Sequence, residues 1–237
     1  MIVFDGAGIL LDVEGTTSSI SFVHDVLFGH AKRHVGTFIA AHHDDPTVRP
    51  LLAGIATAAG LDPTVAEGDD GTARVTLAAL ELMNRDVKDT SLKALQGMIW
   101  RSGFESGELV SHVFDDVPPA LARWADSGLD VRIYSSGSIE AQRLYFRHTA
   151  AGDLTPLLRG HYDTTTGPKR DSASYAAIAA DMGIEPRRIL FVSDIGAELD
   201  AARRAGFATA LAERPGNAVP TSVFDHDPLA SFAEIVT

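Results

Sequence analysis

The chain of 237 residues contains no cysteine, so disulfide bonds and thiolate chemistry are excluded. That absence suits a reducing compartment, and a cytoplasmic protein is expected. No apolar run approaches the roughly 20 residues of a membrane-spanning helix, and no basic-then-apolar leader opens the sequence. No membrane association is therefore expected. Positive charge is also scarce, with 20 Lys and Arg against 32 Asp and Glu and a formal net charge of −12. Without a basic stripe, nucleic acid and anionic membrane surfaces are poor partners, whereas a small anionic substrate fits if charge is supplied locally. Low-complexity stretches are absent too, and 45% hydrophobic with 22% charged content is that of a fully folded globular chain.

Three short apolar runs are present: GILLDV (8–13), DVRIYSS (130–136) and RILFVSD (188–194). Each ends in polar residues and is soon followed by a helical pattern, the rhythm of strand–helix units in a parallel sheet. The helices read as 138–148 and 197–206, with Gly206 placed to cap the second. The fold class expected is α/β, doubly wound and mainly parallel, carrying a helical insert. Residues 1–17 and 113–237 are assigned to the α/β core and 18–112 to the insert. Within the insert Val75, Ala79 and Leu82 share one helical face, as do Leu92, Leu95 and Ile99. Breaks fall at HHDDPTVRP and AEGDDG.

Ligands of open α/β sheets bind beyond the carboxyl ends of the strands. Asp12, Ser135 and Asp194 are therefore expected to be neighbours, together with Glu14, Ser136 and, from the loop TTTGPKRDS, Lys169. Clustered acids repel unless a cation lies among them, and a hard divalent metal is the simplest occupant. Magnesium suits a site that keeps waters and shares a phosphate oxygen. Serine hydroxyls, the glycine of SSGS and the helix start after Ser138 suit a phosphate. A carboxylate can attack phosphorus covalently, which makes Asp12 the candidate nucleophile. Glu14 can return over the same site if Gly15 permits a sharp turn, and there serve as acid and base.

The segments LLDVEGTTSSISFVHDVLF, YSSGSIEAQRLYFRHT, GHYDTTTGPKRDSASYAAIA and FVSDIGAELDAARRAGF resemble the four motifs of the haloacid-dehalogenase superfamily of phosphatases. More narrowly, they resemble its enolase-phosphatase subfamily of methionine salvage, which carries glutamate where most of the superfamily has aspartate, as at Glu14. LKALQGMIWRSGFESGELVSHVFDDVPPALARW and ERPGNAVPT extend the similarity over nearly the whole chain. The resemblance implies a magnesium-dependent monomer acting on a phosphorylated diketone, with the helical insert as a cap. It implies that Asp12 is nucleophile and metal ligand, that Glu14 ligates metal through its carbonyl, and that its side chain serves proton transfer. By the same token Ser135 and Ser136 hold phosphate, Lys169 contacts phosphate and nucleophile, and Asp194 completes the metal site. The base for enolisation stays open between Glu14 and a cap residue such as Lys93.

Plainer readings exist for each residue. D-x-E-G-T alone is ordinary strand-end punctuation, Ser138 is a good helix N-cap with or without phosphate, and Lys169 beside a proline suits a solvated loop. Asp194 suits a helix start. Glu198, one turn beyond it, reads as a solvated helix residue unless the resemblance makes it a supporting acid. The early IVFDGAG imitates a nucleophile motif at Asp5 but lacks the second acid, and reads as a turn. His30 and His34 are spaced as metal ligands on a helix, but the glutamate of a zinc-hydrolase helix is missing between them, and a solvated face is expected. Rival functions are another capped phosphatase, a metal-free dehalogenase, and a non-catalytic phosphometabolite sensor.

Overall fold

The computed structural model describes residues 1–67, 70–217 and 225–237. Gly68 and Asp69 of AEGDDG, and the AVPT end of ERPGNAVPT, lie outside the described residues. In chain order the first elements are β1 (Ile2–Val3), β2 (Gly8–Leu11), α1 (Gly29–His42), α2 (Arg49–Ala58), α3 (Gly71–Asn84) and α4 (Thr90–Glu105). There follow α5 (Val117–Asp126), β3 (Asp130–Tyr134), α6 (Ile139–Arg147), β4 (Gly160–Tyr162), α7 (Ser172–Met182) and β5 (Ile189–Ser193). The last are α8 (Gly196–Arg204), β6 (Ala208–Ala212), β7 (Asp227–Leu229) and β8 (Ile235–Val236). Two compact units contain them: Met1–Val23 with Val110–Thr237, and His24–Leu109.

The first unit holds a parallel sheet in the order β4-β3-β2-β5-β6-β7 and a small parallel pair, β1 with β8. From the central β2 the chain builds outward through β3 and β4, then crosses back to β5, β6 and β7, which is the doubly wound topology expected. GILL of β2 is buried throughout because neighbours flank both edges and helices cover the sheet. Leu10 and Phe191 pack in one cluster with Tyr175 and Ile178 of α7 and Leu199 and Ala202 of α8. Burial of each such side chain contributes on the order of 1.5–3 kcal/mol. Register does the rest: Leu11 lies opposite both Ile133 and Val192, so β2, β3 and β5 end at one level.

The three apolar runs are strands, while β4, β6 and β7 carried too little sequence signal to be expected. GHY is only three residues, ATALA is rich in alanine, and DPL holds a proline. Ser138 caps α6, its side chain accepting from the Ala141 amide. Gly206, at φ 93°, follows the last residues of α8 in the left-handed conformation that a helix exit favours. Asp5 is exposed and stands between β1 and β2, consistent with a connecting turn.

The second unit is helical. Val75, Ala79, Leu82, Leu92, Leu95 and Ile99 are all buried in one core cluster, with Val35, Ile39, Leu52 and Ile55 from α1 and α2. Asp89 caps α4 by accepting from the Leu92 amide at 2.8 Å, and Trp100 Nε1 donates to the Leu27 carbonyl at 2.8 Å. His30 departs from the solvated face expected of it: it is 2% exposed. Its ring stacks on that of His34 at 4.1 Å and occupies space left by Gly103, where a Cβ would lie 2.6 Å from His30 Nε2. Burial, then the His34 ring, lowers the pKa of His30. Among the described residues, no helix is long and apolar enough to cross a membrane.

Candidate active site

At the end of β2 the chain turns through Glu14–Ser18. The Thr16, Thr17 and Ser18 amides all donate to the Val13 carbonyl, and the Gly15 amide donates to that of Ser18. Gly15 sits at φ 71°, and a Cβ there would collide with the Asp194 carboxylate, so the turn demands glycine on both counts. Thr16 Oγ1 accepts from the Asp194 amide at 3.1 Å, tying this loop to the end of β5. The loop is braced from behind. Arg214 Nε donates to the Thr16 carbonyl at 2.8 Å and Asn217 Nδ2 to that of Gly15 at 2.8 Å, while Arg214 also pairs with Asp116 at 2.8 Å.

Lys169 reaches the same point from the loop before α7. Three hydroxyls fix that loop: Tyr175 donates to the Lys169 carbonyl, Ser174 to that of Pro168, and Tyr134 to that of Gly167. The Lys169 ammonium lies 2.7 Å from Asp12 Oδ1 and 2.6 Å from Glu198 Oε2. Burial disfavours its charge, but the Asp12 and Glu198 carboxylates outweigh that cost and raise its pKa. It is a cation clamped between two acids, not a solvated loop lysine.

Glu198 is the residue that sequence reasoning undervalued. It is buried on α8 instead of solvated, with Lys169 on one oxygen and Ser193 Oγ 3.1 Å from the same oxygen. Ser193 Oγ also lies 3.4 Å from Asp12 Oδ2. The one signal was its spacing from Asp194, a single helical turn; its partner Lys169 is remote in sequence. Burial, then the Asp12 charge, raises the Glu198 pKa, and Lys169 opposes. Asp194 is pushed up to about 7 by burial first, then by Asp12 and Glu198.

Asp12, Asp194 and Glu198 thus face one another electrostatically with Lys169 as the shared cation. The acids outnumber it, and that surplus adds to burial, the larger cause, in holding the Asp194 proton. An all-oxygen donor set with excess negative charge suits a hard divalent cation, which takes one or two carboxylates and keeps its waters. Asp12 and Asp194 fit such an ion.

Ser135 and Ser136 follow β3 and precede α6. Ser135 is half-buried and its amide donates to the Tyr162 carbonyl; Ser136 is exposed. Gln142 Nε2 holds the loop by donating to the Gly137 and Tyr162 carbonyls, and Asp163 accepts the Ile139 amide at 3.1 Å. Glu14 is half-buried, and its charge raises the pKa of Tyr145 after burial has done most of that work. Lys93 is exposed on α4 of the second unit.

Comparison with known proteins decides what this arrangement belongs to. The model of the haloacid dehalogenase-like hydrolase family matches residues 2–206. An enolase-phosphatase E1 of Sorangium cellulosum is 47% identical over 92% of this chain and 92% of its own. Another, of Pseudomonas aeruginosa, is 47% identical over 96% of this chain and 97% of its own. The chain belongs to the enolase-phosphatase family of haloacid dehalogenase-like hydrolases.

This enolase-phosphatase family member also resembles a solved structure, the UTR4 protein of Saccharomyces cerevisiae. The two share 34% identity and a TM-score of 0.81, over 97% of this chain and 100% of that one. A crystal structure of a dehalogenase, at 18% identity and TM-score 0.56, shares the fold alone. Membership makes the protein a phosphatase, and its substrate a small phosphorylated molecule. Phosphatases of this family generally depend on a divalent metal.

Proposed function

We propose that the enzyme enolises 2,3-diketo-5-methylthiopentyl 1-phosphate and then removes its phosphate, releasing the acireductone 1,2-dihydroxy-3-keto-5-methylthiopentene in methionine salvage. The observation that carries this reading is the Asp12 carboxylate 2.7 Å from the Lys169 ammonium at the end of the central strand, in a chain whose relatives are enolase-phosphatases.

In this scheme a carboxylate oxygen of Asp12 attacks phosphorus while the bond from phosphorus to the enol oxygen breaks, and water then hydrolyses the aspartyl-phosphate. Glu14 gives a proton to the departing oxygen and later takes one from the attacking water. Lys169, fixed by Glu198, keeps the nucleophile in place and meets charge on the phosphoryl oxygens. Ser135 and Ser136, before the start of α6, receive those oxygens. Magnesium is the divalent ion of choice: the Asp12 and Asp194 side chains and the Glu14 carbonyl would hold it, and when bound it supplies positive charge opposite the phosphoryl group. The helical insert, residues 18–112, is in this reading the cap that selects the methylthio group. The enzyme works as a cytoplasmic monomer.

The test follows the diketone phosphate by absorbance and phosphate release together. The enol should appear before phosphate, and a chelator should stop turnover. Asp12→Asn should block phosphate release while sparing enolisation. Phosphate release by that variant at the wild-type rate, or no enol at any stage in the wild type, would overturn the scheme.

A further inference from the structure

The cluster of metal-ligating side chains least explained by the phosphatase reaction lies wholly within His24–Leu109. His30 and His34 stand one turn apart on α1, with their rings 4.1 Å apart and 24° from parallel. Glu108, in the segment after α4, brings Oε1 to 3.1 Å from His34 Nε2 and 4.0 Å from His30 Nδ1. One ligand atom from each of the three falls within 4.8 Å of the others. Four-coordinate zinc, with bonds of about 2.0–2.1 Å, sets its ligand atoms about 3.3 Å apart. Binding would draw these atoms together and turn the two rings out of their stack.

The surroundings keep this geometry in place. Gly103 leaves the space that the His30 ring fills, since a Cβ there would meet both His30 and Leu109 below 3.0 Å. The Leu109 amide donates to the Gly103 carbonyl at 2.9 Å, with Gly107 at φ 78°, so the turn carrying Glu108 is closed by its own hydrogen bond. A cleft of about 180 Å³, lined by these three residues with Thr37, Phe38 and Ser102, opens beside them and has room for water to complete a coordination shell. His34 and Glu108 are 36% and 54% exposed, so an ion has a way in.

We propose that His30, His34 and Glu108 form a second metal site, distinct from the acidic phosphatase centre and selective for a borderline transition metal, with Zn²⁺ as the representative ion. Two imidazoles and one carboxylate suit zinc and its first-row neighbours, whereas magnesium prefers an all-oxygen site and keeps its water. The ion would tie α1 to the turn after α4, where the chain enters and leaves this unit.

The experiment uses the untagged full chain, stripped of metal and titrated with Zn²⁺ in excess Mg²⁺ by calorimetry. One Zn²⁺ per chain should bind despite the magnesium and raise the thermal midpoint. His34→Ala and Glu108→Gln, each at a partly exposed position, should weaken binding at least about tenfold while keeping the wild-type circular dichroism. Their Mg²⁺-dependent hydrolysis of an aryl phosphate should be unchanged. Bound Co²⁺ should show the visible bands of a low-coordinate nitrogen–oxygen site, lost in His34→Ala. Zn²⁺ affinity equal in wild type and both variants, or binding abolished by Asp194→Asn but not by His34→Ala, would overturn the proposal.

Discussion

Without a divalent ion, the carboxyl of Asp194 titrates near 7 instead of 3.8, because it is buried beside the Asp12 and Glu198 charges. Between those two values the native chain keeps a proton that the unfolded chain has lost. The Asp194 contribution to the stability of the metal-free protein therefore falls as pH rises from about 4 to about 7, by up to about 4 kcal/mol. A divalent cation binds the ionised site, so its stabilising effect should grow across the same window and level off above it. Asp194→Asn removes the charge. It should make the metal-free chain more stable than wild type near pH 8, by about 1–4 kcal/mol, and abolish most of the stabilisation by Mg²⁺. Urea unfolding with Mg²⁺ and with chelator, from about pH 5 to 8, reads all of this. Magnesium stabilisation that is equal at both ends of the range, or a metal-free Asp194→Asn protein less stable than wild type near pH 8, would refute the reasoning.

Gly15→Ala places a Cβ against Asp194 at a positive φ, and should cost about 1–3 kcal/mol in urea unfolding with loss of phosphatase turnover. Lys169→Met leaves Asp12 and Glu198 facing each other, and phosphate release should fall at least about a hundredfold in steady-state assays. Asp116 lies below the ordinary carboxylate range: burial works against its charge, but Arg214 and the Phe232 amide overcome it. Its contribution is complete above about pH 4 and lost below that as the folded carboxylate protonates. Asp116→Asn should then cost about 1–3 kcal/mol at neutral pH and flatten the acid limb of the stability profile. Glu14→Gln and Lys93→Ala separate the two candidates for the enolising base, because only the base's variant should slow appearance of the enol.

The common level at which β2, β3 and β5 end was legible because each is an apolar run long enough to be a buried strand, and parallel register aligns strand ends. The sheet's outer strands were not, since alanine, proline and three-residue lengths leave no period to read. Long-range partners were hidden for a different reason. Glu198 is buried because Lys169 neutralises it, and His30 because Gly103 makes room, and neither partner is near in sequence. The bracing of the Asp12 loop by Arg214 and Asn217 was present only as the run ERPGN, noted for its part in the resemblance and given no role. Its chemistry, donors to the carbonyls of a tight turn, needs the fold to be seen.

The central claim is that Asp12 carries the phosphoryl group. Acid quench of the enzyme during turnover of the diketone phosphate with Mg²⁺, followed by peptide mass spectrometry, tests it most directly. The account predicts one phosphoryl group on the peptide containing Asp12, absent in Asp12→Asn. A phosphoryl group on another residue, or wild-type phosphate release by Asp12→Asn, would contradict it.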